Sequence, residues 1–315
     1  MCTAAVYRSD GVYFGRNMDI DRHFHEEVVT IPDHTVFKLK NCSNLVTIYA
    51  IAGMASIIRK TPLFADAFNE KGLAGAGLNF PGSACYRKAE NGAENLAPYE
   101  IMWRILGTCA NLKEARDILE HVNITDIPFD TDVPIAPMHF IFADETGCIV
   151  VEQTEDGMHI YDDPYDVLTN NPPFPYHMYN MVNYRGCSAR DGESDYPYEL
   201  KPYAAGMGAI GLPGDNSSAS RFIRAAYNLS HAVPRKDDAA VMQVFHILDS
   251  VKMTEGTVLT GNHTYDRTIY QTCMDLKNKI YYYRTYENST IHGIPLQKEV
   301  MLNVYPLQPD DMIIE

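Results

Sequence analysis

The chain has 315 residues, 46% of them hydrophobic, with 26 Lys and Arg against 41 Asp and Glu and a net charge of −15. That length supports a sizeable core in one or two domains. The charge argues against a nucleic-acid partner, which needs a basic face, and against a polybasic membrane anchor.

Strand signals come in pairs along the chain. Thr3–Arg8 and Val12–Asn17 flank Ser9-Asp10-Gly11, a hairpin signature. Tyr99–Thr108 and Leu112–His121 carry apolar residues at helical spacing, with Asn111 placed as an N-cap. His139–Ala143 and Ile149–Gln153 form a second hairpin pattern, and Gly157 turns into a third strand, Met158–Tyr161. Asn170–Pro175 is the most turn-rich stretch, and the polar segment Arg190–Pro202 reads as a surface excursion inside one domain. Ala219–Ala232 follows the capping pair Ser217-Ser218. Lys236–Val251 opens on two Asp, favourable at a helix N-terminus, and carries Val241, Val244, Phe245 and Leu248 on one face. Thr268–Asp275 and Lys279–Tyr286 close the series as a Tyr- and Thr-rich hairpin. Hairpins beside segregated helices, without regular βαβ alternation, predict an α+β fold with mostly antiparallel sheet. With strands at both ends of the chain, the first strand is expected to be central in its sheet.

No internal repeat or long linker divides the chain, so residues 1–315 are expected to form a single domain. The N-terminus lacks a charged n-region followed by an apolar h-region. The longest apolar stretches, such as Leu45–Ile58, are interrupted or too short to span a bilayer. The seven cysteines are scattered and form no C-x-x-C pair, which fits reduced thiols and a cytoplasmic location. No dinucleotide loop, Walker-type loop or His-Glu-x-x-His is present, so no cofactor and no metal is expected. His23 and His25 near Asp21 lack a third, distant ligand.

The most informative feature is Cys2, directly after Met1. Removal of Met1 would put a thiol and a free α-amine on one carbon, so a single residue would supply nucleophile and base. A free thiol titrates near 8.5 and an α-amine near 7.7–8.0, roughly matched for proton exchange at neutral pH.

Five segments complete the pattern: Met1-Cys2-Thr3, Phe14-Gly15-Arg16-Asn17-Met18-Asp19, Gly75-Ala76-Gly77-Leu78-Asn79-Phe80-Pro81-Gly82, Leu168-Thr169-Asn170-Asn171-Pro172, and Gly211-Leu212-Pro213-Gly214-Asp215 followed by Ser217-Ser218-Ala219-Ser220-Arg221-Phe222. In this order they resemble the choloylglycine hydrolase family, the bile salt hydrolases and penicillin V acylases, which belong to the N-terminal-nucleophile hydrolases. The resemblance runs from Cys2 to about Tyr286 and implies a four-layer αββα sandwich, a bacterial cytoplasmic enzyme and frequent homotetramers. It implies Cys2 as nucleophile, Arg16 near the sulfur, Asp19 on the α-amine and Arg221 close to the cysteine. Asn79 and Asn170 sit in Gly- or Pro-rich loops at expected strand ends, where neutral N–H donors could stabilise an oxyanion. The family's Thr-Asn-x-Pro pattern selects Asn170 over Asn171.

The implied reaction is amide hydrolysis through a thioester on Cys2. The position of Asn79 is typically Asn in bile salt hydrolases and Tyr in penicillin V acylases, which points to glycine- or taurine-conjugated bile salts as partners. Penicillin V acylase, and an inactive bile-acid binding protein on the same fold, are the alternatives. By family analogy Met18, Ile20, Ile58, Phe64, Phe129 and Ile135 would line the steroid wall. No residue is assigned to the anionic end of the substrate.

Overall fold

Period-two alternation in the N-terminal hairpin assigns its two faces. In the strand Cys2–Arg8, the side chains of Cys2, Ala4 and Val6 enter one buried cluster, whereas Ala5 and Tyr7 enter another that contains helical residues. The return strand Val12–Ile20 does the same, with Phe14 and Met18 on the first side and Tyr13 on the second. The computed structural model from which this follows describes residues 1–308 other than 42, 193–195, 199 and 299. Cys42 and part of the polar segment Arg190–Pro202 therefore lie outside the described residues.

Two large antiparallel sheets stack on the first cluster. The six-stranded sheet has the spatial order Val167–Leu168, Cys2–Arg8, Val12–Ile20, Arg267–Asp275, Ile280–Thr285, His292–Pro295. The eight-stranded sheet runs Gly157–Asp162, Cys148–Thr154, Met138–Ala143, Ala74–Asn79, Thr61–Asn69, Ile51–Ile58, Glu26–Ile31, Asn303–Tyr305. Phe14 and Met274 of one sheet meet Met54, Phe68 and Ile141 of the other in the intervening core. Helices α1 (Glu100–Thr108) and α2 (Leu112–Leu119) cover the outer face of the larger sheet, with Trp103 and Leu106 in a cluster with Phe140 and Val151. Beyond the short α3 (Phe174–Asn180), helices α4 (Ser218–His231) and α5 (Asp237–Asp249) lie on the smaller sheet. The four-layer αββα sandwich expected from the resemblance is the observed architecture.

Local chemistry accounts for the helix positions. Asn111 caps α2, its Oδ1 accepting from Glu114 N at 3.0 Å. Ser217 caps α4, with Ser220 N donating to its Oγ at 3.4 Å. The Val241, Val244, Phe245 and Leu248 face of α5 is buried on the sheet. Gly15 makes that approach possible: a Cβ there would lie 2.4 Å from Val244 Cγ1.

Three expectations need correction. The first strand is next to the sheet edge, covered on its outer side only by the two-residue strand Val167–Leu168. The Gly75-Ala76-Gly77 stretch is a strand rather than a loop. A Cβ on Gly75 would lie 2.4 Å from the Phe142 ring, so its glycine serves close strand packing. The turn-rich segment Asn170–Pro175 also runs into a helix, since Pro is compatible with the first turn of α3.

Candidate active site

Antiparallel register brings the chain start to the middle of a polar cluster. Cys2 faces Met18, and Ala4 faces Arg16, so Cys2 and Arg16 share the inter-sheet side of adjacent strands. Arg16 Nη2 donates to Cys2 Sγ at 3.1 Å, and Met18 Sδ lies 3.7 Å from the same sulfur. Cys2 is buried and Arg16 is almost completely so. Burial pushes the Cys2 thiol up, but the Arg16 guanidinium and the chain-start amine outweigh it, and the thiol ends below its ordinary range.

The opposite edge of Cys2 is held by an asparagine and a second arginine. Cys2 N donates to Asn170 Oδ1 at 2.9 Å, and Asn170 Nδ2 donates to the Asn79 carbonyl oxygen at 2.7 Å. Arg221, in the first turn of α4, donates from Nη2 to Asn170 Oδ1 at 2.7 Å and from Nη1 to the Cys2 carbonyl oxygen at 2.5 Å. Asn170 thereby ties strand, loop and helix together around one residue. Adjacent Asn171 points elsewhere, bonding the Pro81 carbonyl oxygen and Ser83 Oγ.

Asp19 lies on the helix-facing side of the return strand. Thr268 Oγ1 donates to its Oδ1 at 2.6 Å, and its Oδ2 sits 3.9 Å from Arg221 Nη1. That Oδ2 is buried with no hydrogen-bond partner, an arrangement that costs free energy unless a donor arrives. Burial pushes the Asp19 carboxyl up, against the pull of Arg221 and the chain-start amine. Met1 N meets the Asp19 carbonyl oxygen and lies 3.6 Å from Asp266 Oδ2.

The structure thus gathers Cys2, Arg16, Asn170 and Arg221 into one hydrogen-bonded network, with the Asp19 carboxylate 3.9 Å from Arg221. Asn79 joins it through its carbonyl oxygen, its residue standing exposed at the end of the strand Ala74–Asn79. The six residues expected to line an apolar wall do not share one cluster. Met18 lies beside the sulfur and Ile20 packs against the inter-sheet core. Phe64 and Phe129 instead belong to the cluster under α1, where Phe129 meets Tyr99 edge-on at 5.2 Å. Ile58 and Ile135 are half-buried. The β-bulge at Met54/Ala55, opposite Ala65, puts Phe64 on the outer face of its sheet while Ala65 packs inward.

Several supporting residues carry no signal at fixed spacing. Asn170 N donates to Ser218 Oγ at 2.8 Å, and His177 Nε2 bonds the Asn170 carbonyl oxygen at 2.9 Å. His139 bridges Glu152 Oε1 at 2.9 Å and the Thr169 carbonyl oxygen at 3.1 Å. The capping role of the Ser pair was the one cue available, and it hid the contact of Ser218 with Asn170. His23 bonds Glu26, and among the described residues no group of three or more His, Cys, Asp or Glu side chains could hold a metal ion. Among the same residues, no helix is long and apolar enough to cross a membrane.

A cluster with a thiol held below its ordinary range, fixed guanidinium groups and neutral amide groups is suited to acyl transfer from an amide. Comparison with known proteins agrees. The profile of the linear amide C–N hydrolases, choloylglycine hydrolase family, matches residues 2–313. The chain is 39% identical to a bile salt hydrolase/transferase of Lactiplantibacillus plantarum, covering 98% of each chain. It is 39% identical to a bile salt hydrolase/transferase of Clostridium perfringens over 95% of this chain and 93% of that one. Among solved structures, a mutant conjugated bile acid hydrolase of Clostridium perfringens superposes with a TM-score of 0.92 at 34% identity, over 100% of this chain and 99% of that one.

Proposed function

Since the chain belongs to the choloylglycine hydrolase family of linear amide C–N hydrolases, we propose that it is a bile salt hydrolase that cleaves the amide bond of glycine- or taurine-conjugated bile salts. The nucleophile is Cys2 Sγ, freed to act when Met1 is removed. The observation that carries this reading is the 3.1 Å contact between Arg16 Nη2 and the sulfur of a residue whose backbone N is already fixed by Asn170.

The sulfur attacks the amide carbonyl carbon, and the Cys2 α-amine takes the thiol proton. The oxyanion that forms is stabilised by the Asn79 carboxamide and by the Asn170 Nδ2 hydrogen not donated to Asn79. Collapse breaks the C–N bond, and the ammonium returns its proton to the leaving amine. Glycine or taurine departs, and the bile acyl group remains as a thioester on Cys2. Water then attacks the thioester, losing a proton to the amine, and the bile acid leaves as the thiol is regenerated. An amine attacking in place of water would give the transfer for which the bile salt hydrolase/transferase relatives are named. Asp19 Oδ2 lacks a donor with Met1 attached, and in this reading it accepts from the freed α-amine. Met18 and Ile20 form the part of the apolar wall nearest the sulfur. The enzyme is assigned to the cytoplasm and to a homotetramer on the family resemblance.

Glycocholate, taurocholate and penicillin V separate the readings. We expect kcat/KM for at least one conjugated bile salt to exceed that for penicillin V by about tenfold or more, a difference of roughly 1.4 kcal/mol. Turnover of penicillin V alone would replace this reading with an acylase. Tight cholate binding without release of glycine or taurine would make the chain a binding protein. Asn170→Ala is expected to lower kcat by about 100-fold, and Asn171→Ala by less than about tenfold, because only the first touches the reacting residue. Equal losses in steady-state assays would remove Asn170 from its place.

A further inference from the structure

A buried carboxylate lies behind Arg16 that none of the sequence motifs includes. Asp66, on the strand Thr61–Asn69 of the larger sheet, is fully buried. Its Oδ2 lies 3.4 Å from Arg16 Nη1 and accepts from Tyr270 OH at 3.1 Å, while its Oδ1 accepts from Tyr281 OH at 2.5 Å. Arg16 Nη1 also donates to the Ala65 carbonyl oxygen at 2.5 Å. One edge of the guanidinium is thus held by Asp66 and Ala65, leaving Nη2 directed at Cys2 Sγ.

We propose that Asp66, fixed by the hydroxyls of Tyr270 and Tyr281, is a positioning residue for the reaction: it aims Arg16 at the sulfur and competes with the thiolate for its charge. The proposal rests on Cys2 being the nucleophile. It is the charge count that gives it consequences. Arg16 is permanently charged and faces two groups that can each become an anion, the thiol and the carboxyl. Burial pushes the Asp66 carboxyl up, opposed by Arg16 and the two tyrosine hydroxyls. Ionising either acid makes the other harder to ionise. The remaining groups around them are Asp19 on the same strand as Arg16, Arg221 from α4, the chain-start amine, Asp266, and Glu26 near Tyr270. None of these contacts the Asp66 carboxylate among the bonds described. A moderated Arg16 keeps the sulfur more basic, and nucleophilicity rises with basicity.

Removal of the competing carboxylate therefore has a signed effect. Asp66→Asn keeps the size and one acceptor oxygen, enough for one of the two tyrosines, and replaces the other oxygen by an NH2 while deleting the charge. The rate of Cys2 alkylation by iodoacetamide, followed against pH by peptide mass spectrometry, reports thiol ionisation independently of any substrate. We expect its midpoint to fall by about one pH unit in Asp66→Asn. The plateau rate should drop by about threefold, the loss of nucleophilicity that accompanies such a shift. Tyr281→Phe removes one donor from the carboxylate and is expected to move the midpoint in the same direction by less. It decides the matter if Asp66→Asn does not fold. Superimposable profiles for wild type and either folded variant overturn the proposal, as does a slower plateau with an unmoved midpoint, which a packing defect alone would give. Because alkylation needs no bile salt, the result stands or falls separately from the substrate assignment.

Discussion

Cys2→Ser is expected to lower hydrolysis of conjugated bile salts by about a thousandfold or more, roughly 4 kcal/mol of transition-state stabilisation. A hydroxyl is far less acidic than a thiol, and the Arg16 contact that holds the thiol below its ordinary range cannot ionise it at neutral pH. The substitution is nearly isosteric, so the strand, its pairing with Met18 and the Asn170 bond to the Cys2 backbone N should all persist. Unchanged circular dichroism and melting would show that they do. Stopped assays for glycine and taurine release measure the loss, and a variant within tenfold of wild type would remove Cys2 from the reaction. Alkylation supplies a second readout. Burial pushes Cys109 up to about 11 and carries Cys148 and Cys273 well above the usual thiol range. Of the four buried thiols among the described residues, Cys2 is the one expected to react at neutral pH, and the serine variant should lose that adduct.

How much of this was legible in the sequence depends on the kind of signal each residue carries. Hairpins with two- to four-residue turns and helices with polar caps declare themselves locally, so the four central strands of the smaller sheet and α1, α2, α4 and α5 were readable, all within a residue or two except Val12–Ile20, which runs three residues past the Asn17 expected to end it; the edge strands Val167–Leu168 and His292–Pro295 were not assigned. The strands Ile51–Ile58, Thr61–Asn69 and Ala74–Asn79 were not assigned as strands. They are buried on both faces for much of their length, and their Ala and Gly content removes the alternation on which a strand reading depends. Gly75 looks like a loop residue until the Phe142 ring is seen in the space its side chain would occupy. The site divides in the same way. Cys2, Arg16, Asp19, Asn170 and Arg221 stand in contiguous motifs and were nameable. Asp66, Tyr270, Tyr281 and Ser218 act through contacts between elements distant in sequence, 48 residues or more apart in the bonds that matter. Phe64 shows the limit of analogy for apolar residues: a single bulge beside Ala65 decides which face it occupies, and no composition rule fixes a bulge.

Protein that keeps Met1 is expected to retain less than about 1% of the activity of processed protein, because losing a positioned general base costs about 100-fold or more. With Met1 attached, the Cys2 nitrogen is an amide: it donates to Asn170 Oδ1 and has no lone pair able to accept the thiol proton. The same state leaves Asp19 Oδ2 buried without a hydrogen-bond donor, while Thr268 satisfies only Oδ1. Cleavage of the Met1–Cys2 bond changes both facts at once. It creates an amine with three N–H bonds when protonated, one for Asn170 Oδ1 and another for the unpaired Asp19 oxygen. Arg16 faces Asp66 and Arg221 faces Asp19 in the buried site, and proton exchange between thiol and amine carries no charge into or out of it. Expression with methionine aminopeptidase inhibited should yield a species heavier by one methionine residue in intact-mass spectra and inactive on glycocholate. Treatment with the aminopeptidase should restore both the mass and the rate, provided the chain start is accessible; Met1 is partly exposed. Full activity in a sample whose intact mass shows Met1 throughout would show that the proton goes elsewhere, and Asp19 would then need a different reason for its unpaired oxygen.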